Sequence, residues 1–116
     1  MSLTVERIIE IVASETGVTF EEMKERHRAR RKVEARMIAA YCIKLFLPDV
    51  TLKAIGQYLG GRDHSTVIHY IDSIEGYVDT SGYWAHLIEQ YTKRIALEVP
   101  AKVVNFQWET NSTLWE

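Results

Sequence analysis

The sequence predicts an all-α domain of five to six helices that contains a helix-turn-helix. Three observations carry that expectation. Apolar residues recur at helical spacing along most of the chain as far as Ile95. Capping residues and helix stops punctuate the pattern. Two short helical segments, 52–59 and 63–76, are joined by Gly60-Gly61, the proportions of a helix-turn-helix.

Taken in order, Val5, Ile8, Ile9 and Val12 follow i, i+3, i+4, i+7 spacing, and Gly17 stands where a helix C-terminus favours glycine. Thr19-Phe20-Glu21-Glu22 reads as a capping box that opens a short helix. A basic stretch, Lys24 to Lys32, follows. The next helix is expected over Val33–Phe46, with Ile38, Cys42, Leu45 and Phe46 as its apolar stripe and Pro48 as its stop. Thr51 caps a short helix, Leu52–Leu59, that buries Leu52, Ile55 and Leu59. A helix starting near Asp63 carries Val67, Ile71 and Ile74 on one stripe, with Ile68 beside them. Ser81 caps a last helix with the stripe Trp84, Leu87, Ile88, Tyr91 and Ile95, and Pro100 ends it. Residues 100–116 lack helical periodicity and are expected as a tail or strand-like arm beside a domain of residues 1–99.

The chain has 116 residues, enough for one domain with one modest core, and its 47% hydrophobic content argues against disorder. No run approaches the length of a membrane span. No basic-then-apolar leader opens the sequence, and Cys42 has no internal partner, so a reducing, cytoplasmic setting is expected. Cys42 lies on an apolar stripe and reads as core. The Asn111-Ser112-Thr113 sequon carries no weight without a secretion signal.

Charge is segregated. Lys24 to Arg62 holds ten Lys/Arg and three Asp/Glu, a net of +7, against −9 for the remainder and −2 overall. A single-sign segment of that size favours an anionic partner over a merely solvated face.

The most polar helix entrance is GGRDHSTVIHYI, Gly60 to Ile71. Gly56 to Asp63, GQYLGGRD, has the glycine skeleton of a phosphate loop, but Arg62 and Asp63 stand where lysine and a hydroxyl are required, and no strand precedes it. His64 and His69 are five apart, about 140° around a helix, so they do not face one metal ion. His64 and Ser65 are neighbours, which is no triad geometry. The plain alternative is that Asp63 or Ser65 caps the helix and His69 packs. Base readout uses the remaining features. The first turn of a second helix points into the major groove, where aspartate accepts from cytosine, histidine donates to purine N7 or thymine O4, and a hydroxyl does either. No catalytic constellation, cofactor site or metal site is expected.

GGRDHSTVIH resembles the signature of the C-terminal DNA-binding domain of the bacterial replication initiator DnaA, where GGRDHTTV is typical. Arg26-His27-Arg28-Ala29-Arg30 followed by Val33-Glu34-Ala35-Arg36-Met37-Ile38-Ala39 is similar to that family's basic loop and its EARQIA helix start. Leu52-Lys53-Ala54-Ile55-Gly56 resembles its LPEIG. The resemblance covers roughly Val5 to Ile95 and implies a Trp-repressor-like domain that binds double-stranded DNA at an AT-rich nine-base box such as TTATNCACA. It implies base contacts by Asp63, His64 and Ser65 in the major groove and by Arg28 in the adjacent minor groove. It implies phosphate contacts by Arg30, Arg36, Lys44, Leu52, Lys53, Arg62 and Thr66. Against these stand plainer roles: Arg28 solvated, Arg36 and Lys44 ordinary surface residues, Asp63 a helix cap alone.

The departures bear on what is recognised. Ser65 stands for the family's threonine and lacks a methyl that touches thymine; Met37 stands for glutamine and Lys53 for proline. The family's ATPase domain has no counterpart here, and the starting methionine and acidic tail suggest a stand-alone relative with a role in replication initiation or its regulation, in contact with replication proteins. A different reading is a protein-interaction module that kept the fold and lost tight DNA binding, with Phe106, Trp108 and Trp115 as its aromatic tail.

Overall fold

The computed structural model describes residues 3–26 and 28–99; His27 and residues 100–116, the expected arm included, lie outside them. The described residues form six helices and no strand: α1 (Val5–Thr16), α2 (Phe20–Lys24), α3 (Arg30–Phe46), α4 (Leu52–Tyr58), α5 (His64–Thr80) and α6 (Gly82–Ala96). None is long and apolar enough to cross a membrane.

Local chemistry sets the helix ends. The capping box is complete: Thr19 Oγ1 accepts from the Glu22 N–H at 3.0 Å, and Glu22 Oε1 accepts from the Thr19 N–H at 3.0 Å. Thr51 accepts from the Ala54 N–H at 3.1 Å and Ser81 from the Trp84 N–H at 3.3 Å, as expected of N-caps. Thr4 also caps, at the head of α1. Gly17 ends α1 at φ 77°, donating to the Ala13 carbonyl.

α3 differs from its expected bounds. It begins at Arg30, three residues early, so part of the basic stretch is its first turn. Apolar spacing cannot report a turn made of Arg30, Arg31 and Lys32, while the Arg30–Glu34 ion pair at 3.0 Å, four residues apart, supports it. α3 packs against all five other helices. It is accordingly buried nearly all round from Ala35 to Ile43, not along one stripe. Ala35, Ala39 and Ala40 let neighbours approach its backbone. Around it pack Ile8, Ile9 and Val12 of α1, Ile55 of α4, Val67 and Ile74 of α5, and Ile88 and Ile95 of α6. Leu52, Trp84 and Leu87 sit half-buried at the margin. After α6, Glu98 receives a forked pair of bonds from the Arg7 guanidinium, at 3.1 and 3.3 Å, which ties the two ends of the domain together.

Candidate nucleic-acid interface

α4 and α5 form the helix-turn-helix. Gly60 and Gly61 make the turn at φ 96° and 82°, a backbone region that side chains other than glycine rarely occupy. Gly56 is required for space: a Cβ there would overlap the Arg62 carbonyl. Its own carbonyl accepts from the Gly61 and Arg62 N–H groups, both at 2.9 Å. A Cβ on Gly60 would overlap the Lys24 backbone. The turn therefore also seats the start of the basic loop.

Asp63 is the N-cap of α5. Its Oδ1 accepts from the Ser65 N–H at 3.0 Å and from the Ser65 hydroxyl at 3.3 Å, and His64 Nδ1 lies 3.5 Å away. These bonds hold Asp63, His64 and Ser65 together at the helix entrance while all three stay exposed. Val67, Tyr70, Ile71 and Ile74 face the core, and His64, Ser65, Ile68, His69 and Asp72 face solvent. Two expectations change here. Ile68 is 40% exposed and not part of the buried stripe, and His69 does not pack inward. Counting at about 100° per residue from His64 puts Ile68 at 40° and His69 at 140°, away from a buried stripe centred near 290°. The angle becomes informative once the buried side of α5 is known.

Arg36 departs from its expected place. It is 2% exposed. Its Nε donates to the Met23 carbonyl at 2.7 Å and its Nη2 to the Glu25 carbonyl. A buried guanidinium spent on main-chain carbonyls organises the basic loop and does not face outward toward a phosphate. Arg62 donates to the same Glu25 carbonyl at 2.7 Å. Burial, and secondarily the charge of Arg62, push the Arg36 pKa below the usual arginine range. The Glu25 carboxylate is engaged with Lys32 at 2.9 Å. So the loop is clamped to the turn through one main-chain oxygen.

The other expected contacts are dispersed around this clamp. Arg28 and Lys53 are exposed and without a partner among the described residues. Arg30 is exposed and paired with Glu34. Lys44 donates to the Pro48 and Val50 carbonyls at 2.9 and 3.3 Å, so it fixes the loop ahead of α4. Leu52 and Thr66 are half-buried in the first turns of α4 and α5. Sequence reasoning missed the Lys24 and Glu25 main chain, because backbone seats carry no residue signature.

The family described as bacterial dnaA protein helix-turn-helix matches residues 5–74. The chain belongs to that DnaA helix-turn-helix family. Similar proteins include the chromosomal replication initiator protein DnaA of Symbiobacterium thermophilum, 35% identical over 96 residues, and that of Chlorobaculum tepidum, 38% identical over 95. The DnaA of Gloeobacter violaceus is 41% identical over 73 residues. These alignments cover 83%, 82% and 63% of this chain but only 21%, 19% and 16% of the relatives. The chain thus spans about a fifth of the length of the DnaA proteins it matches. The family match contains the basic loop, α4, the glycine turn and the first part of α5, and it stops within α5, so α6 lies outside it.

Proposed function

We propose that this domain binds double-stranded DNA sequence-specifically, at boxes like those implied by the DnaA resemblance, in replication initiation or its regulation. The observation that carries the reading is the exposed Asp63-His64-Ser65 entrance of α5, presented by a glycine turn in a chain of the DnaA helix-turn-helix family. Asp63 keeps its capping bond and offers its second oxygen to a cytosine amino group. His64 donates to N7 or O4, and Ser65 reads beside it. Arg28 enters the neighbouring minor groove, where narrow A·T tracts attract arginine. Arg62, Lys53, Thr66 and Arg30, with Lys44 and the start of α4 at Leu52, meet phosphates and fix register. Arg36 contributes by holding the loop.

Fluorescence anisotropy tests this with a duplex carrying TTATCCACA and a scrambled duplex at equal salt. The box should bind at least about tenfold tighter. Equal affinity would sink sequence-specific reading. A second reading, protein docking without tight DNA binding, is favoured by Tyr83 and Leu97, 71% and 80% exposed. It prevails if no duplex binds even at low salt and a stoichiometric protein partner is recovered.

A further inference from the structure

We infer that Ile68 reads the C5-methyl group of a thymine, one helical turn beyond the residues proposed above to read base edges; the inference rests on that reading. Ile68 is 40% exposed, whereas the other apolar residues in the first three turns of α5, Val67, Tyr70 and Ile71, are buried. Its place on the helix is specific. It lies about 40° around and about 6 Å along from His64, in the angular gap between His64 and Ser65. A helix entrance that puts His64 and Ser65 against base edges therefore carries Ile68 against the groove floor as well.

The chemistry of that floor selects the ligand. Among the four bases only thymine shows an apolar group in the major groove, its C5-methyl. His64, Ser65, His69 and Asp72 are the other solvent-facing residues of these turns, and all are polar. Ser65 has no methyl to offer. Ile68 is thus the apolar group this surface can bring to a thymine, and burying it there removes an exposed hydrocarbon from water. Its β-branched side chain is nearly fixed in a helix, so little rotamer freedom is lost on contact. One turn further on, the exposed carboxylate of Asp72 repels phosphate and closes the reading surface.

The test replaces each thymine of the TTATCCACA duplex in turn, on both strands, by deoxyuridine, which removes only the methyl. Anisotropy is measured for the wild-type chain and for Ile68→Ala, an exposed-site change to a strong helix former that preserves folding. At one position the wild type should lose about three- to fivefold in affinity, the worth of one buried methyl. Ile68→Ala should bind thymine and uracil equally there while still preferring the box to the scrambled duplex. Wild-type indifference to every uracil, with box preference intact, overturns the role of Ile68 alone. So does a uracil penalty that survives in Ile68→Ala. Loss of box preference in the wild type overturns the base-reading proposal, and this one with it.

Discussion

Two regions of the molecule use arginine in opposite ways. At the closure of the domain, Arg7 is matched by carboxylates: Glu98 through a forked pair and Glu10 at 3.2 Å. At the loop–turn clamp, Arg36 and Arg62 share a neutral carbonyl, and the nearby carboxylate of Glu25 goes to Lys32. The first arrangement cancels charge and fastens α1 to the turn that follows α6. The second fastens a loop to a turn and leaves the positive charge standing. The DNA-binding surface proposed above would be served by the second kind, because a carboxylate partner would compete with DNA for a guanidinium.

The largest expected effect comes from cutting the clamp. Arg36→Met keeps much of the volume but strands the Met23 carbonyl and leaves the Glu25 carbonyl to Arg62 alone, and should cost about 2–3 kcal/mol of stability in urea denaturation. A cost under about 1 kcal/mol would mean that the buried arginine holds nothing. Next come the residues proposed to contact DNA. His64→Ala should weaken box binding by about 1–3 kcal/mol and leave scrambled DNA and thermal stability nearly unchanged. Arg62→Ala should weaken all sequences alike and reduce the salt slope by about 1. An unaltered slope would confine Arg62 to the clamp.

The charge-matched closure should respond to acid and not to DNA. The bond from Arg7 holds the Glu98 carboxyl below the usual carboxylate range, and the Thr19 N–H does the same for Glu22. Lowered folded-state values mean that this stabilisation is complete above the unfolded carboxylate range and disappears as pH falls through the folded values. Glu98→Gln should therefore flatten the acid limb of a thermal-midpoint profile and leave box affinity untouched. The smallest effect is expected at Glu75. Its Oε2 is buried without a hydrogen-bond partner among the described residues, and burial together with Asp72 and Asp79 pushes its pKa up. Here the sign reverses, since ionisation at neutral pH costs stability. Glu75→Gln should stabilise by about 0.5 kcal/mol as two like-charge helix neighbours are relieved. A thermal midpoint that falls instead would show that the carboxylate has a favourable role.

How much of this was legible in the sequence follows from the range of the interactions. The caps at Thr19, Thr51, Asp63 and Ser81, the stop at Gly17 and the glycine turn were readable, because each joins residues two to six apart and leaves a pattern of residue types. The start of α3 was not, because charged residues in a first turn break the apolar rhythm that marks a helix. Ile68 was visible in principle by angle, yet an isoleucine beside Val67 and Ile71 reads as core until the buried side is known.

The sequence alone determined the all-helical class, the helix-turn-helix and the polar entrance of α5, since helix geometry and capping are written in neighbouring residues. Only the tertiary structure decided that Arg36 turns inward, that Arg62 joins it on Glu25, that Gly60 must clear the Lys24 backbone and that Ile68 stays open to solvent. Each of these depends on which segments distant in sequence lie against one another, and a buried guanidinium and an exposed isoleucine are assigned by packing, not by the residue's own preference.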